Sequence, residues 1–271
     1  MSAANRRMRL TEVAAACGVQ ACEQTLRKAF QIEGYCRRVA RKKPFLDERK
    51  KGLRLAFAQA HRDWSQEDWR RVIWTDECYI WLSGNTSRVW ITRRPKEEYH
   101  DDCLVPKFPK KNSIMIWGGI LGEKKCGLVL WDRDNWGTIT AKSYVDNVLT
   151  PVLQPFWNRE SELAGHPLWL MEDGASAHRA AHTRRVREGY GIPKFNWPPS
   201  SPDLNPIENV WHILKDMLNK RQVRPEGREG MAEAINEEWE KISEVELLTF
   251  IDSMPERIEA IIVASGGHTR W

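Results

Sequence analysis

Apolar residues recur along this chain with two different periods, and the change of period divides it. Leu10, Val13, Ala14 and Cys17 share one helical face that Gly18 interrupts, and Leu26, Ala29 and Phe30 mark a second helix ending near Gly34. Two short helices joined through a glycine predict a helix-turn-helix, in which Glu23, Gln24, Arg27 and Lys28 are the candidate readers of DNA. Helical spacing returns over Leu46–Trp69, through Leu53, Leu55, Ala56, Ala60 and Trp64, and predicts one or two helices. From Val72 the pattern shortens to strand-like runs at Val72–Leu82, Arg88–Thr92, Ser113–Ile120 and Gly127–Trp131, split by Gly, Asn and Asp turns. A helix is predicted over Thr140–Glu160, with Tyr144, Val145, Val148, Leu149 and Val152 on one side. A buried strand follows at Leu168–Met171, then an Arg-rich helix from Arg179 to Glu188 and a strand at Lys194–Trp197. The remainder reads as helices at Met231–Ile242 and Leu247–Met254. Strands first, then strands alternating with helices, predict an α/β fold: a mixed sheet flanked by helices, behind a small N-terminal helix-turn-helix segment. The expected divisions are 1–36 for that segment, 37–70 for a basic linker with helices, and 71–271 for the main domain.

Charge sharpens this division. The net charge of +5 is modest, from 42 basic and 37 acidic residues. The basic residues cluster, however, in Arg37, Arg38, Arg41, Lys42 and Lys43, and uneven placement favours a polyanionic partner. Such a run has three readings: a solvated linker, a nuclear-import signal or an arm that contacts phosphates. The 14 tryptophans are expected to anchor packing, with Trp74, Trp81, Trp117 and Trp131 inside strand-like runs. No stretch approaches the ~18 apolar residues of a membrane span, and no signal-peptide pattern opens the chain. Six cysteines without a C-x-x-C pair disfavour zinc and a disulfide framework, and fit a reducing compartment. Nothing matches a phosphate-binding loop, a dinucleotide fingerprint or a Ser/His/Asp site, so no nucleotide cofactor is expected.

The candidate chemistry is carboxylate chemistry. The strand ending at Met171 runs into Glu172, Asp173 and Gly174, which presents an acid at the carboxyl end of a strand. Four prolines within nine residues, Pro198 to Pro206, then fix an extended loop, because each locks its own φ and disfavours helix in the residue before it. Pro206 suits the first turn of a helix with Asn205 as its N-cap, which leaves Glu208 on the opening turn. A third acid interrupts the β-forming run Trp74-Thr75-Asp76-Glu77-Cys78. Ionised acids in a buried strand are costly unless paired or bound to metal, and hard oxygen ligands favour Mg²⁺ or Mn²⁺. His178 and His182 stand at i, i+4 spacing without the H-E-x-x-H order, so packing or hydrogen bonding is expected of them, with His178 able to orient the strand end. Asp203, inside Pro-Asp-Leu-Asn-Pro, is expected to form an Asx turn.

These words together resemble the Tc/mariner transposase superfamily. The resemblance rests on Trp74-Thr75-Asp76-Glu77, Glu172-Asp173-Gly174-Ala175, Ser200-Ser201-Pro202-Asp203-Leu204-Asn205-Pro206-Ile207-Glu208-Asn209-Val210-Trp211, Ser253-Met254-Pro255-Glu256-Arg257 and the closing Gly266-Gly267-His268-Thr269-Arg270-Trp271. Between the second and third of these acids, Asp173 and Glu208, lie 34 residues, which matches one spacing class of the superfamily. The resemblance implies an RNase H-like catalytic domain, with Asp76, Asp173 and Glu208 as catalytic residues and ligands of two Mg²⁺ or Mn²⁺ ions. It implies a DNA transposase that cuts and joins phosphodiesters, double-stranded DNA (element ends and target) as partner, a homodimer, and a nuclear location if the source is eukaryotic. The alternative is a domesticated or degenerate derivative that binds DNA without cleaving it. Arg27, Lys28, Arg37, Arg38, Arg41, Lys42 and Lys43 are the expected DNA contacts. The family carries paired helix-turn-helix modules and commonly a Ser where Cys22 stands. The roughly ten residues ahead of the first helix leave an earlier module missing, and Cys22 is a weaker cap. The long insert Arg93–Asn112, with Pro95, Pro106 and Pro109, is by resemblance an arm for a partner subunit or DNA. Adjacent acids on one strand point to opposite faces, so only one can face the site; the resemblance assigns it to Asp76, which leaves Glu77 to hydrogen-bond or pair on the other face.

Overall fold

The computed structural model describes residues 8–35, 43–82, 113–223 and 225–271. The chain forms two compact units, Met1–Lys43 and Pro44–Trp271. In the first unit, α1 (Leu10–Ala16) buries Val13 and Ala14, and α2 (Glu23–Ile32) buries Leu26. Cys22 occupies the N-cap of α2 without capping it, because its thiol meets Thr25 Oγ1 at 3.1 Å and not a backbone N–H.

The second unit opens with α3 (Glu48–Ala60) and α4 (Gln66–Trp69), capped by Asp47 and Ser65. The strand β1 (Val72–Trp81) leads to β2 (Ser113–Leu121), β3 (Lys124–Lys125) and β4 (Val129–Leu130). Helices α5 (Arg133–Trp136) and α6 (Ala141–Tyr144) follow, and α6 continues through a π-helical stretch, Val145–Leu153, into α7 (Gln154–Ala164). Pro151 lies in that stretch; a wider turn accommodates a residue that has no N–H to donate. Next come β5 (Trp169–Met171), α8 (Ser176–Arg179), α9 (Ala181–Gly189), a 3₁₀ turn at Pro202–Leu204, and α10 (Ile207–Lys220). The chain closes with α11 (Gly227–Lys241), α12 (Glu244–Asp252) and α13 (Met254–Val263). The sheet order is β3-β2-β1-β5, with β4 also paired to β2; β1 is antiparallel to β2 and parallel to β5. This is the expected mixed sheet flanked by helices.

Several expectations change. The strand at Lys194–Trp197 reduces to a single bridge between Leu170 and Lys194. The expected Arg-rich helix is α9, which starts at Ala181, and a break at Ala180, extended at ψ 144°, separates it from the short α8. That break leaves His178 buried and His182 exposed, so the two histidines do not share a helical face. Trp81 is 52% exposed and anchors no core. The buried residues of α3 are Arg54, Phe57 and Ala58, whereas Leu53 is 45% exposed. The segment expected as linker therefore divides, with α3 part of the larger unit. The Arg88–Thr92 strand and the Arg93–Asn112 insert lie outside the described residues.

Alternation along the central strands sorts side chains between two cores. Val72, Trp74, Cys78, Ile80 and Met171 pack with Phe57 of α3 and with Ile207, Val210 and Trp211 of α10. Ile73 and Leu170 face the other way, against Tyr144, Val148, Leu149, Leu153 and Ala177. Gly118 sits opposite Asp76 in the β1–β2 register. A Cβ there would fall 2.8 Å from the Trp211 ring, so a bare backbone is what lets α10 rest on the sheet beside Asp76.

The loop before α10 is fixed by a buried ion pair. Arg54 Nη1 and Nη2 donate to Asp203 Oδ1 and Oδ2, both at 2.7 Å, and neither side chain is more than 7% exposed. The remaining guanidinium donors reach Ser201 Oγ, Gly266 O and Gly267 O. Gly266 has φ 80°, and a Cβ on it would overlap the Lys51 carbonyl at 2.0 Å, so no other residue fits there. Asp203 also accepts from Thr269 Oγ1, and its carbonyl accepts from Arg257, which in turn donates to Asn209 Oδ1 at 2.7 Å. Asp203 is thus a tertiary anchor, a role that its local sequence does not announce. Breaking a buried, hydrogen-bonded pair by removing one partner costs about 3–5 kcal/mol. Arg54→Met is expected to lose that much in urea unfolding, and a loss below about 1 kcal/mol, typical of an exposed pair, would contradict the clamp.

Candidate active site

Asp76, Asp173 and Glu208 reach one cleft from three elements. Asp76 lies on β1 with the same parity as Trp74 and Cys78, and so on the face that α10 covers. Asp173 follows β5 with the parity of Met171, on that same face. The β1–β5 register pairs Trp74 with Met171, and continued two residues it sets Asp76 level with Asp173. Glu208 stands in the first turn of α10. Asn205 does not cap that helix; its Nδ2 donates to the Thr75 carbonyl at 3.3 Å, which ties the loop to the strand one residue before Asp76.

The acids perturb one another electrostatically. Burial, then repulsion from Glu208 and Glu77 and more weakly from Asp173, holds the Asp76 carboxyl well above the usual carboxylate range. Partial loss of hydration pushes Glu208 up as well, opposed by a hydrogen bond with Asp76 and by the charge of Lys215. Asp173 goes the other way. Burial would raise it, but His178, the Ala175 N–H and Lys194 together hold it below its ordinary value. Among the described residues, no three His, Cys, Asp or Glu side chains close into a ready-made metal cluster. The donor set nevertheless suits a divalent cation: hard carboxylate oxygens with negative charge in excess of what Lys215 and Lys194 offset.

The opposite face of the sheet carries a second set of charges. Glu172 is fully buried, accepting from Tyr144 Oη at 2.6 Å and Arg187 Nη1 at 2.8 Å, so it is engaged away from the cleft. His178 donates from Nδ1 to Asp173 Oδ1 at 2.8 Å, and its Nε2 lies 3.2 Å from Glu77 Oε1, an ion-pair contact short of hydrogen-bond alignment. Burial alone would lower this imidazole; the bond to Asp173 and the pairing with Glu77 override it and raise His178 to about 10. Lys194 and Lys215 were not singled out by sequence. Lys215, seven residues after Glu208 on one helix face, carried a usable signal; Lys194, placed by a single bridge, carried none.

The expected DNA contacts divide. Arg27 and Lys28 are exposed on α2, with Arg27 paired to Glu23 at 2.9 Å, and Lys43 is exposed. Arg37, Arg38, Arg41 and Lys42 lie outside the described residues.

A histidine whose folded-state value exceeds its ordinary 6.5 contributes stability that is full below that value and is lost as pH rises through about 10. In the metal-free protein, the stability gap between wild type and His178→Asn should therefore be widest near about pH 6 and shrink toward about pH 10. A gap that widens with pH in parallel denaturation series would contradict the charged imidazole.

Comparison with known proteins agrees along the chain. A family model described as a DDE superfamily endonuclease matches residues 129–228, which include Asp173 and Glu208, and a helix-turn-helix model described as a transposase matches residues 1–63. The Tc1 transposase of Caenorhabditis elegans is 27% identical over 254 residues, covering 92% of this chain and 88% of the relative. The Tcb2 transposase of Caenorhabditis briggsae is 28% identical over 250 residues, with the same coverage. In structure, the Mos1 transposase paired-end complex with left transposon end aligns at a TM-score of 0.75 and 17% identity, over 97% of this chain and 76% of that one. The Mos1 catalytic domain aligns at 0.65 and 16% identity, over 85% of this chain and 100% of that one. These structures establish the RNase H-like fold expected for the main domain. Matched by transposase models at its N-terminal segment and across two of its three acids, and by transposase sequences over nine-tenths of its length, the chain is similar to the Tc1/mariner transposases from end to end of that match.

Proposed function

We propose that this chain cuts and joins DNA phosphodiesters with two divalent ions held by Asp76, Asp173 and Glu208. The observation that carries this reading is geometric: the β1–β5 register brings Asp76 level with Asp173, and the loop tied to the Thr75 carbonyl delivers Glu208 on the first turn of α10. Mos1 transposase has been crystallised as paired-end complexes with Mn and with Mg. Bound here, such ions would activate water or a DNA 3′-hydroxyl for in-line attack and stabilise the leaving oxygen. The protein's part is placement. Asp76 is held by its strand, Glu208 by the clamped loop, and Asp173 by His178 and the Ala175 N–H, so the three donors are set before the substrate arrives. Lys215 and Lys194 bring positive charge to a site that must also admit a phosphate.

The substrate we assign is transposon-end DNA, joined to target DNA by a homodimer in the nucleus of a eukaryotic source. Arg27, Lys28, Arg37, Arg38, Arg41, Lys42 and Lys43 are assigned to its contacts, with residues 1–36 as the helix-turn-helix segment. Among the described residues no helix is long and apolar enough to cross a membrane.

Nicking of supercoiled plasmid in Mn²⁺ tests the reading. Asp76→Asn, Asp173→Asn and Glu208→Gln should each lower the rate by more than about a hundredfold, the upper range for a residue that merely supports a ligand. Duplex binding should persist, and Asp76→Asn should unfold at or above the wild-type temperature because it removes a repelled, buried carboxyl. Retained nicking in a folded Asp76→Asn protein, or a wild type that binds duplex without nicking, would overturn the assignment.

A further inference from the structure

Glu77 has no place in the cleft. Its parity sends it to the face opposite Asp76, where its side chain is 17% exposed. Yet it touches something that does reach the cleft. His178, 3% exposed on α8, is packed against the Tyr144 ring, with centroids 4.6 Å apart. Its Nε2 meets Glu77 and its Nδ1 meets Asp173. Asp173 Oδ1 is thereby occupied twice, by His178 Nδ1 and by the Ala175 N–H, both at 2.8 Å. Among the described residues Oδ2 receives no hydrogen bond, and the Asp173 side chain is 49% exposed. One carboxylate oxygen is locked inward and the other is turned outward.

An imidazole bonded through one nitrogen can still swing about that bond. A carboxylate 3.2 Å from the second nitrogen opposes that swing by charge attraction, short of hydrogen-bond alignment, and so supports the ligating group as outer carboxylates do at metal sites. We propose that Glu77 is a positioning residue for Asp173, acting through His178, and that the chain Glu77–His178–Asp173 fixes which Asp173 oxygen is offered to a divalent cation. On this account the two adjacent acids of β1 serve one site from opposite faces of the sheet: Asp76 directly and Glu77 through an imidazole. The inference rests on the metal reading proposed above.

Mn²⁺ binding by calorimetry, with thermal unfolding and duplex binding run alongside, tests it. Glu77→Gln keeps the side-chain volume and every cleft donor, and should weaken Mn²⁺ affinity about 10- to 100-fold while leaving duplex binding unchanged. Placed in an Asp173→Asn background, Glu77→Gln should weaken Mn²⁺ binding no further, because its path runs through Asp173. Wild-type affinity in folded Glu77→Gln overturns the proposal and leaves the metal reading standing. Unchanged affinity in Asp173→Asn alone removes the metal reading beneath it. If Glu77→Gln does not fold, Glu77→Asp carries the same test, since it keeps the charge but withdraws it from Nε2 by one methylene. A full further loss in the Asp173→Asn background also counts against the proposal.

Discussion

The geometry of the candidate active site depends on one buried ion pair, Arg54 with Asp203. A proline-rich loop between the sheet and α10 is stiff, but stiffness alone does not aim it. Arg54 supplies the aim from a helix more than a hundred residues earlier, spending its guanidinium on Asp203, Ser201 and two C-terminal glycine carbonyls. Arg257 repeats the device from α13, gripping the Asp203 carbonyl and Asn209, the neighbour of Glu208. Burial pushes Arg257 down to about 10, with Asp203 opposing, so it remains a cation at neutral pH. The closing Gly266-Gly267-His268-Thr269 segment thus acts as part of the clamp that points Glu208 at β1. A buried pair of this kind is weak evidence for net stability, since its desolvation offsets much of its attraction. Its effect here is specificity of position.

Around that clamp the sheet divides labour between its faces. The cleft face carries Asp76, Asp173 and Glu208, with repulsion left partly uncompensated. The other face carries Glu77 and Glu172, each matched to partners: His178 for Glu77, and Tyr144 and Arg187 for Glu172. Each aspartate of the cleft has a glutamate beside it in sequence, and strand alternation sends the two apart. The repelled Asp76 and the outward oxygen of Asp173 are what the cleft offers a cation, and the paired charge behind them holds the scaffold that presents them.

Much of this was legible in the sequence because it is local. The strand periods at Val72–Leu82 and Leu168–Met171, the proline loop and the helix that carries Glu208 all follow from neighbouring residues. Opposite faces for Asp76 and Glu77 follow from pleating alone. What escaped is long-range. The helical period in α3 selected Leu53 and Leu55, yet Arg54 between them is buried, because its charge is met by Asp203, which no periodicity reveals. Asp203 reads as a turn for the same reason. The break at Ala180, which separates His178 from His182, has neither proline nor glycine to announce it. Lys194–Trp197 has the composition of a strand but makes one bridge, since β5 itself is three residues long and leaves little edge to pair.

The central claim is that the clamped Glu208 joins Asp76 and Asp173 in a single cation site on the α10 face of the sheet. Anomalous scattering from crystals of the protein soaked in Mn²⁺ tests it most directly. The account places the Mn²⁺ peak within ligand distance of Asp76 and Asp173 oxygens, on the side from which Glu208 approaches. A peak beside Glu77 and Glu172 on the opposite face, or one that engages Asp173 without Asp76, would contradict it.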